Sequence, residues 1–215
     1  MTNTLRKRCI LLGLLLIAAA LCFLIYNKRE ADLAAQSAEQ ALQKIADLSP
    51  APKLSPKAEP TQKAKPSQET ASPSAIPTVT PTPIVEEMPA VDVDGIPYVG
   101  VLELPSLGLS LPVIDQISKS NLRQAPCRYQ GSAYVDNLII AAHNYQRHFG
   151  GLKTMQIGDE ITFTDMNEQR FSYTVSRVEE LEGTAVEEME AGDWDLTLCT
   201  CTLGGQKRVV VRCKK

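Results

Sequence analysis

Apolar residues are distributed along this chain in two unlike ways. Over residues 10–26 they run without a break (Ile-Leu-Leu-Gly-Leu-Leu-Leu-Ile-Ala-Ala-Ala-Leu-Cys-Phe-Leu-Ile-Tyr), the short end of what spans a bilayer as a helix. After residue 90 they instead alternate with polar residues in short stretches bounded by Gly, Pro, Asn and Asp, the pattern of half-buried strands joined by turns. These stretches are 99–104, 109–114, 134–142, 160–164, 171–178, 196–202 and 208–212. Many short strands and little helical periodicity predict an all-β domain closed, or nearly closed, into a barrel. Residues 118–125 have room for one or two turns of helix, and there is no internal repeat.

Between the two regions the character changes twice. Residues 27–48 are rich in Ala, Glu and Gln, with Ala34, Ala38, Ala41, Ile45 and Leu48 at steps of four and three, which predicts a helix continuing from the membrane. Residues 49–89 hold ten of the fourteen prolines and read as a solvated stalk with polyproline-II bias. The predicted organisation is a cytoplasmic tail at 1–9, a transmembrane anchor at 10–26, a membrane-proximal helix at 27–48, a linker at 49–89 and a globular domain at 90–215. Arg6, Lys7 and Arg8 before the apolar run favour a cytoplasmic N-terminus. A cleaved signal peptide is the rival reading, and Ala18-Ala19-Ala20 is compatible with a cleavage site, but apolar residues continue past it. Either way the domain lies outside the cytoplasm.

Charge and cysteine content narrow the function. Residues 90–215 carry 12 Lys and Arg against 17 Asp and Glu, a net charge of −5 with no basic stripe, so nucleic acid is not an expected partner. Four cysteines, Cys127, Cys199, Cys201 and Cys213, lie in this exported domain at irregular spacing. Cys199 and Cys201, two apart on one strand, have poor disulfide geometry, and at least Cys201 is read as a free thiol.

The chemistry concentrates at two strand ends. Across a turn centred on Gly204-Gly205, Leu203 should face Gln206, Thr202 should face Lys207 and Cys201 should face Arg208. Directly opposed residues have Cβ atoms about 5 Å apart. A cation beside a cysteine favours thiolate and can stabilise an oxyanion. His143 ends the most apolar strand, where a barrel places function; His148, in the loop that follows, is expected at the surface. A thiol nucleophile, an imidazole acid/base and a fixed guanidinium suit acyl transfer from a peptide.

These residues resemble a known family. Thr197-Leu198-Cys199-Thr200-Cys201 matches the Thr-Leu-x-Thr-Cys signature of sortases, the cysteine transpeptidases of Gram-positive surfaces. Ala142-His143-Asn144-Tyr145 through His148-Phe149-Gly150-Gly151-Leu152, then Gly158-Asp159-Glu160, is similar to the sortase histidine loop. Ile96-Pro97-Tyr98-Val99-Gly100 with Leu102-Glu103-Leu104-Pro105-Ser106-Leu107-Gly108 resembles the opening strand. The resemblance covers residues 96–213. It implies an eight-stranded β-barrel, Cys201 as the nucleophile that takes a threonyl carbonyl of an LPXTG-type sorting signal into a thioester, His143 as acid/base, and Arg208 as the family arginine in preference to Arg212. The implied partners are secreted proteins bearing that signal, a cell-wall or pilin amine as acceptor, and the membrane.

Some features depart from the family or point elsewhere. The turn between Cys201 and Arg208 is short, and Cys199 occupies a variable position with an unusual thiol, read either as a core-filling side chain or as a modulator of Cys201 oxidation. No cofactor or metal is expected. Some sortases bind calcium through acidic residues such as Glu179, Glu180, Glu182, Glu187, Glu188 and Glu190, but the earlier loop, 121–137, adds only Asp136, short of six to eight oxygen ligands. That acidic run is therefore expected to be a solvated face, and Trp194 is expected in the core. The competing functions are a metal site of Cys199, Cys201 and His143, and a catalytically idle surface scaffold.

Overall fold

The computed structural model describes residues 3–48 and 87–215; nearly all of the proline-rich segment lies outside them. Nine strands follow one long helix: β1 (Val91–Val93), β2 (Ile96–Leu104), β3 (Leu109–Ile114), β4 (Cys127–Gln130), β5 (Leu138–Ala141), β6 (Glu160–Asp165), β7 (Arg170–Glu182), β8 (Leu196–Cys201) and β9 (Lys207–Lys214). Their order is β1-β2-β3-β4-β5-β8-β9-β7-β6, and β6 pairs back onto β2. Eight strands, β2 to β9, thus close a barrel, and β1 is a short hairpin partner of β2 outside it. The seam falls at Gly100, which pairs with Val113 of β3 and Asp165 of β6. A Cβ there would meet the Phe163 ring at 2.4 Å and the Thr164 carbonyl at 2.5 Å, so closure needs a glycine.

Alternation decides what fills the barrel. Leu102, Leu138, Ile140, Phe163, Tyr173, Leu196, Leu198 and Val211 point inward and are almost wholly buried. Each such side chain contributes roughly 1.5–3 kcal/mol of burial. The strand expected at 134–142 is shorter, because a turn and the Gly131–Asn137 contacts occupy its first residues. The expected helix at 118–125 is the single turn α2 (Lys119–Leu122), capped by the Ser118 hydroxyl, which accepts from the Asn121 N–H at 3.0 Å.

The long helix α1 (Asn3–Leu48) carries both apolar patterns in one rod. The side chains at residues 10–26 are almost all exposed, Leu and Ile included, as a candidate membrane span requires. Further on the helix packs against the barrel. Ala34, Ala35, Ala38 and Ala41 are buried, and Ala41 joins a cluster with Val93, Tyr98, Ile114 and Cys127. Methyl-sized side chains let the backbone approach closely. Glu30 reaches Arg123 at 3.5 Å, Glu39 reaches Arg147 at 4.0 Å, and Lys44 pairs with Asp94; exposed pairs of this kind stabilise by about 0–1 kcal/mol each.

This packing overturns the surface placement of His148. Its side chain is fully buried, with neither ring nitrogen hydrogen-bonded. Burial pushes its pKa down to about 4, an effect the nearby Ala34 backbone offsets only in part. The folded state therefore resists protonation that the unfolded chain accepts at an ordinary histidine pKa of about 6.5. The stabilisation is complete above pH 6.5 and is lost as pH falls towards 4, by about 3 kcal/mol. A His148→Leu variant is expected to lose less stability than the parent between pH 7 and pH 4.5, measured by thermal denaturation.

Candidate active site

β8 runs between β5 and β9, and the two registers bring the site together. With β9 it pairs antiparallel, Thr197 to Arg212, Cys199 to Val210 and Cys201 to Arg208, the register read from the sequence. The turn is wider than the two residues expected. The ladder ends where Thr202 N–H donates to the Lys207 carbonyl at 2.8 Å, and Thr202 Oγ1 accepts the Lys207 N–H at 3.2 Å. Leu203, Gly204, Gly205 and Gln206 form the loop, with both glycines at positive φ, 92° and 73°, and Leu203 94% exposed.

With β5, β8 pairs in parallel: Ile139 to Thr197, Ile140 to Leu198 and Ala141 to Cys199. Two bonds carry the ladder further. Ala142 N–H donates to the Cys199 carbonyl at 3.1 Å, and Thr200 Oγ1 donates to the Ala142 carbonyl at 2.8 Å. β5 itself ends at Ala141, and its register carried on by two residues aligns His143 with Cys201. Ile140, Leu198 and Val211 face the barrel interior, so the alternate residues face outward. Cys201 of β8 and Arg208 of β9 therefore form a transverse row on the outer face, in line with His143 just beyond β5, and Leu181 of β7, which pairs with Arg208, ends it.

Each member of the row is held locally. Cys201 is half-buried and borders an open cleft of about 450 Å3 with Asn144, Lys153, Glu180, Leu203 and Lys207. The Nε of Arg208 donates to the Gly183 carbonyl at 3.2 Å, which orients its guanidinium. His143 is half-buried, with its ring 5.0 Å from that of Tyr145. Desolvation lowers its pKa; Glu30 of α1 opposes that shift and Arg123 adds to it. The loop after His143 folds back on itself, Phe149 N–H bonding the His143 carbonyl at 3.2 Å and Gly150 N–H the Tyr145 carbonyl at 2.9 Å.

The row below is apolar. Cys199 packs with Ile139, Met189 and Val210, and burial pushes its thiol up to about 12, so it fills core as a protonated side chain. The described cysteines, Cys22, Cys127, Cys199, Cys201 and Cys213, are all unpaired. Cys199, Cys201 and His143 do not make a metal cluster: among the described residues no group of three or more His, Cys, Asp and Glu is placed to hold an ion. Trp194 is not in the core; it is partly exposed, with Arg177 at 5.7 Å and Lys214 at 6.0 Å from its ring.

Sequence reasoning missed a helix beside this face, α3 (Val186–Glu190). It lies within the acidic run, which is largely exposed, as expected of a solvated face, although four of its glutamates take partners. Glu179 pairs with Arg212, Glu180 with Lys153 and Glu182 with Lys207, and Glu190 accepts from the Tyr129 hydroxyl at 2.8 Å. Met189, apolar amid glutamates, was the one available signal.

With this geometry in hand, the chain can be compared with known proteins. The Sortase domain family model matches residues 102–215. A curated relative, "Sortase A" of Bacillus anthracis, is 28% identical over 137 residues, covering 60% of this chain and 65% of its own. This chain thus spans just under two thirds of that relative. Among solved structures, "Sortase A from Corynebacterium diphtheriae, lid mutant" superposes with a TM-score of 0.50 at 20% identity, covering 55% of this chain and 69% of that one. "X-ray structure of sortase C from Clostridium perfringens SM101" gives a TM-score of 0.47 at 22% identity, covering 54% and 68%. The chain belongs to the sortase family.

Gly150 tests how tightly the histidine loop is built. A Cβ there would lie 2.7 Å from the Asn144 carbonyl and 2.8 Å from that of Tyr145, whereas at Gly151 it would meet only Leu107 side-chain atoms, the nearest at 3.1 Å. Gly150→Ala is expected to destabilise by roughly 1–3 kcal/mol and Gly151→Ala by less, as read from denaturant midpoints.

Proposed function

We propose that this chain is a membrane-anchored cysteine transpeptidase acting outside the cell on secreted proteins. Its substrate is a C-terminal sorting signal of LPXTG type, and its acceptor is an amine of the cell wall or of a pilin. The observation that carries the reading is the pairing of Cys201 with Arg208 across β8 and β9, with His143 two residues beyond the end of β5, the parallel neighbour of β8. Thiol, imidazole and guanidinium on one outward face, beside an open cleft, are what acyl transfer from a peptide needs.

The chemistry follows from the row. The Cys201 sulfur attacks the threonyl carbonyl while neutral His143 accepts the thiol proton. Arg208 stabilises the negative charge that develops on the carbonyl oxygen. The carbon–nitrogen bond breaks, His143 returns the proton to the leaving amine, and a thioester remains on Cys201. The acceptor amine then attacks the thioester, His143 takes its proton, and the new amide leaves as the sulfur is released and reprotonated. No cofactor or metal is called for. The apolar helix at residues 10–26 suits a single-pass anchor, and Arg6, Lys7 and Arg8 favour an N-terminus in the cytoplasm.

The full chain, incubated with a sorting-signal peptide, is expected to show a thioester adduct on Cys201 by mass spectrometry, released by an added amine. No adduct at Cys201 with any sorting peptide, alongside an identical result for Cys201→Ala, would refute the reading. Arg208→Lys is expected to lower kcat by about 10²–10³-fold, the usual effect of removing an oxyanion donor. Because burial lowers the His143 pKa, the imidazole is held towards its neutral form more than a free histidine, whose pKa is about 6.5. The acid limb of kcat/KM should therefore fall below pH 6.5 and be absent in His143→Ala, measured as a pH–rate profile.

A further inference from the structure

The helix that follows the apolar run is fastened to the barrel along its length. α1 is unbroken from Asn3 to Leu48, and residues 27–48 contain no glycine or proline at which it could kink. Ala34, Ala35, Ala38 and Ala41 are buried, and Ile45 packs beside Ala41. The ion pairs of Glu30 with Arg123, Glu39 with Arg147 and Lys44 with Asp94 span the same stretch. From Glu30 to Ile45 the contact extends about 22 Å along the helix axis. Contact over that length sets the angle between helix and barrel, which a single point of attachment leaves free.

The same rod enters the apolar run. Glu30 comes four residues after Tyr26, the last residue of the run, about 6 Å along the axis. The histidine loop lies at this level. Burial raises the Tyr145 pKa, and both Glu30 and Tyr26 are near enough to raise it further. His143, whose pKa desolvation lowers, also feels Glu30. An open cleft of about 640 Å3 lies here, lined by Tyr26, Arg29, Glu30, Asp32, Leu33 and Arg123. Tyr26, Lys28, Arg29 and Arg123 are exposed, and an aromatic with cations is the set that meets lipid headgroups.

The proline-rich segment does not set the height of the barrel. It joins Leu48, the end of the docked helix, to Met88, which is buried in the barrel core. A segment joining two points of one body adds nothing to the distance of that body from a bilayer.

We propose that residues 27–48 are a bracket: docked along the barrel, they hold the Cys201 site at the phospholipid headgroup layer of the bilayer that residues 10–26 cross. Substrates then meet the thiol at the membrane surface and not at the end of a stalk. The bracket rests on the membrane-anchored reading given above.

The height of Cys201 is the direct readout. In the full chain carrying Cys9→Ser and Cys22→Ser, Cys201 is the thiol a maleimide fluorophore reaches, because Cys127, Cys199 and Cys213 are buried. The labelled chain is inserted in vesicles of phosphatidylcholine and phosphatidylglycerol with an acceptor dye on their headgroups, and energy transfer gives the height. It should lie within about 20 Å, from the helical rise and the strand spacing; a barrel on a stalk stands tens of ångströms higher. Doubling residues 51–86 should leave the height unchanged. An alanine-rich heptad inserted after Asn27 adds two turns, keeps the docking face in register and should raise it by about 10 Å. For a sorting peptide tethered to the same vesicles by a spacer just long enough for the parent, the heptad should lower kcat/KM at least about ten-fold, while the free peptide changes less than about three-fold. A height that follows linker length or ignores the heptad overturns the bracket, and so does a tethered peptide turned over equally well by both chains. If the heptad variant loses its thermal unfolding transition, the parent and the doubled linker decide by height alone. An inserted parent that turns over neither peptide refutes the transpeptidase reading while its height still tests the bracket. A chain that does not insert refutes the anchor and the bracket together.

Discussion

β8 pairs antiparallel with β9 as far as Cys201 on one side and in parallel with β5 as far as Cys199 on the other. Side chains on a strand alternate between faces, so a slip of one residue in either pairing would move a member of the row to the barrel interior. Two devices guard against that slip. On one side Thr202 closes the hairpin with bonds from both its backbone and its hydroxyl. On the other, Thr200 reaches across to the Ala142 carbonyl and carries the pairing one residue past the end of β5. The two threonines that flank Cys201 thus hold the register on its two sides.

The outer face of these strands grades from reactive to structural over four residues of β8. The row at Cys201 is open to solvent through a cleft, the row at Cys199 is dry, and the row at Thr197 holds a buried guanidinium. The same residue type serves opposite ends because its surroundings differ. Arg208 is half-buried and bonds the Gly183 carbonyl through Nε, whereas Arg212 is saturated by a carboxylate, a hydroxyl and two carbonyls. An arginine buried in this way needs its full set of acceptors, because an unpaired buried charge costs several kcal/mol.

Much of this was legible in the chain. Alternation located seven of the nine strands, and the register across Gly204-Gly205 put Arg208 opposite Cys201. Two strands were missed: β1 is three residues long, and β4 is four residues with an arginine in the middle, too short for periodicity to register. The turn was read two residues too tight, because Thr202 spends its hydroxyl on closing the ladder. His148 and Trp194 were misread for one reason: each depends on contacts far away in sequence. His148 is covered by α1, more than a hundred residues earlier, and Trp194 lies beside Arg177 and Lys214 of other strands.

The sequence alone determined an apolar helix, a set of short alternating strands, and a cysteine facing an arginine across one hairpin, because periodicity and turn chemistry are local. It could not place His143 in line with that pair, since that depends on a parallel pairing between strands separated by β6 and β7. Nor could it show that the helix after the apolar run lies down on the barrel instead of standing clear of it, or that one arginine would be consumed by α3. Those outcomes are fixed by which surfaces meet when the barrel closes, and the requirement that every buried charge and carbonyl find a partner selects among them.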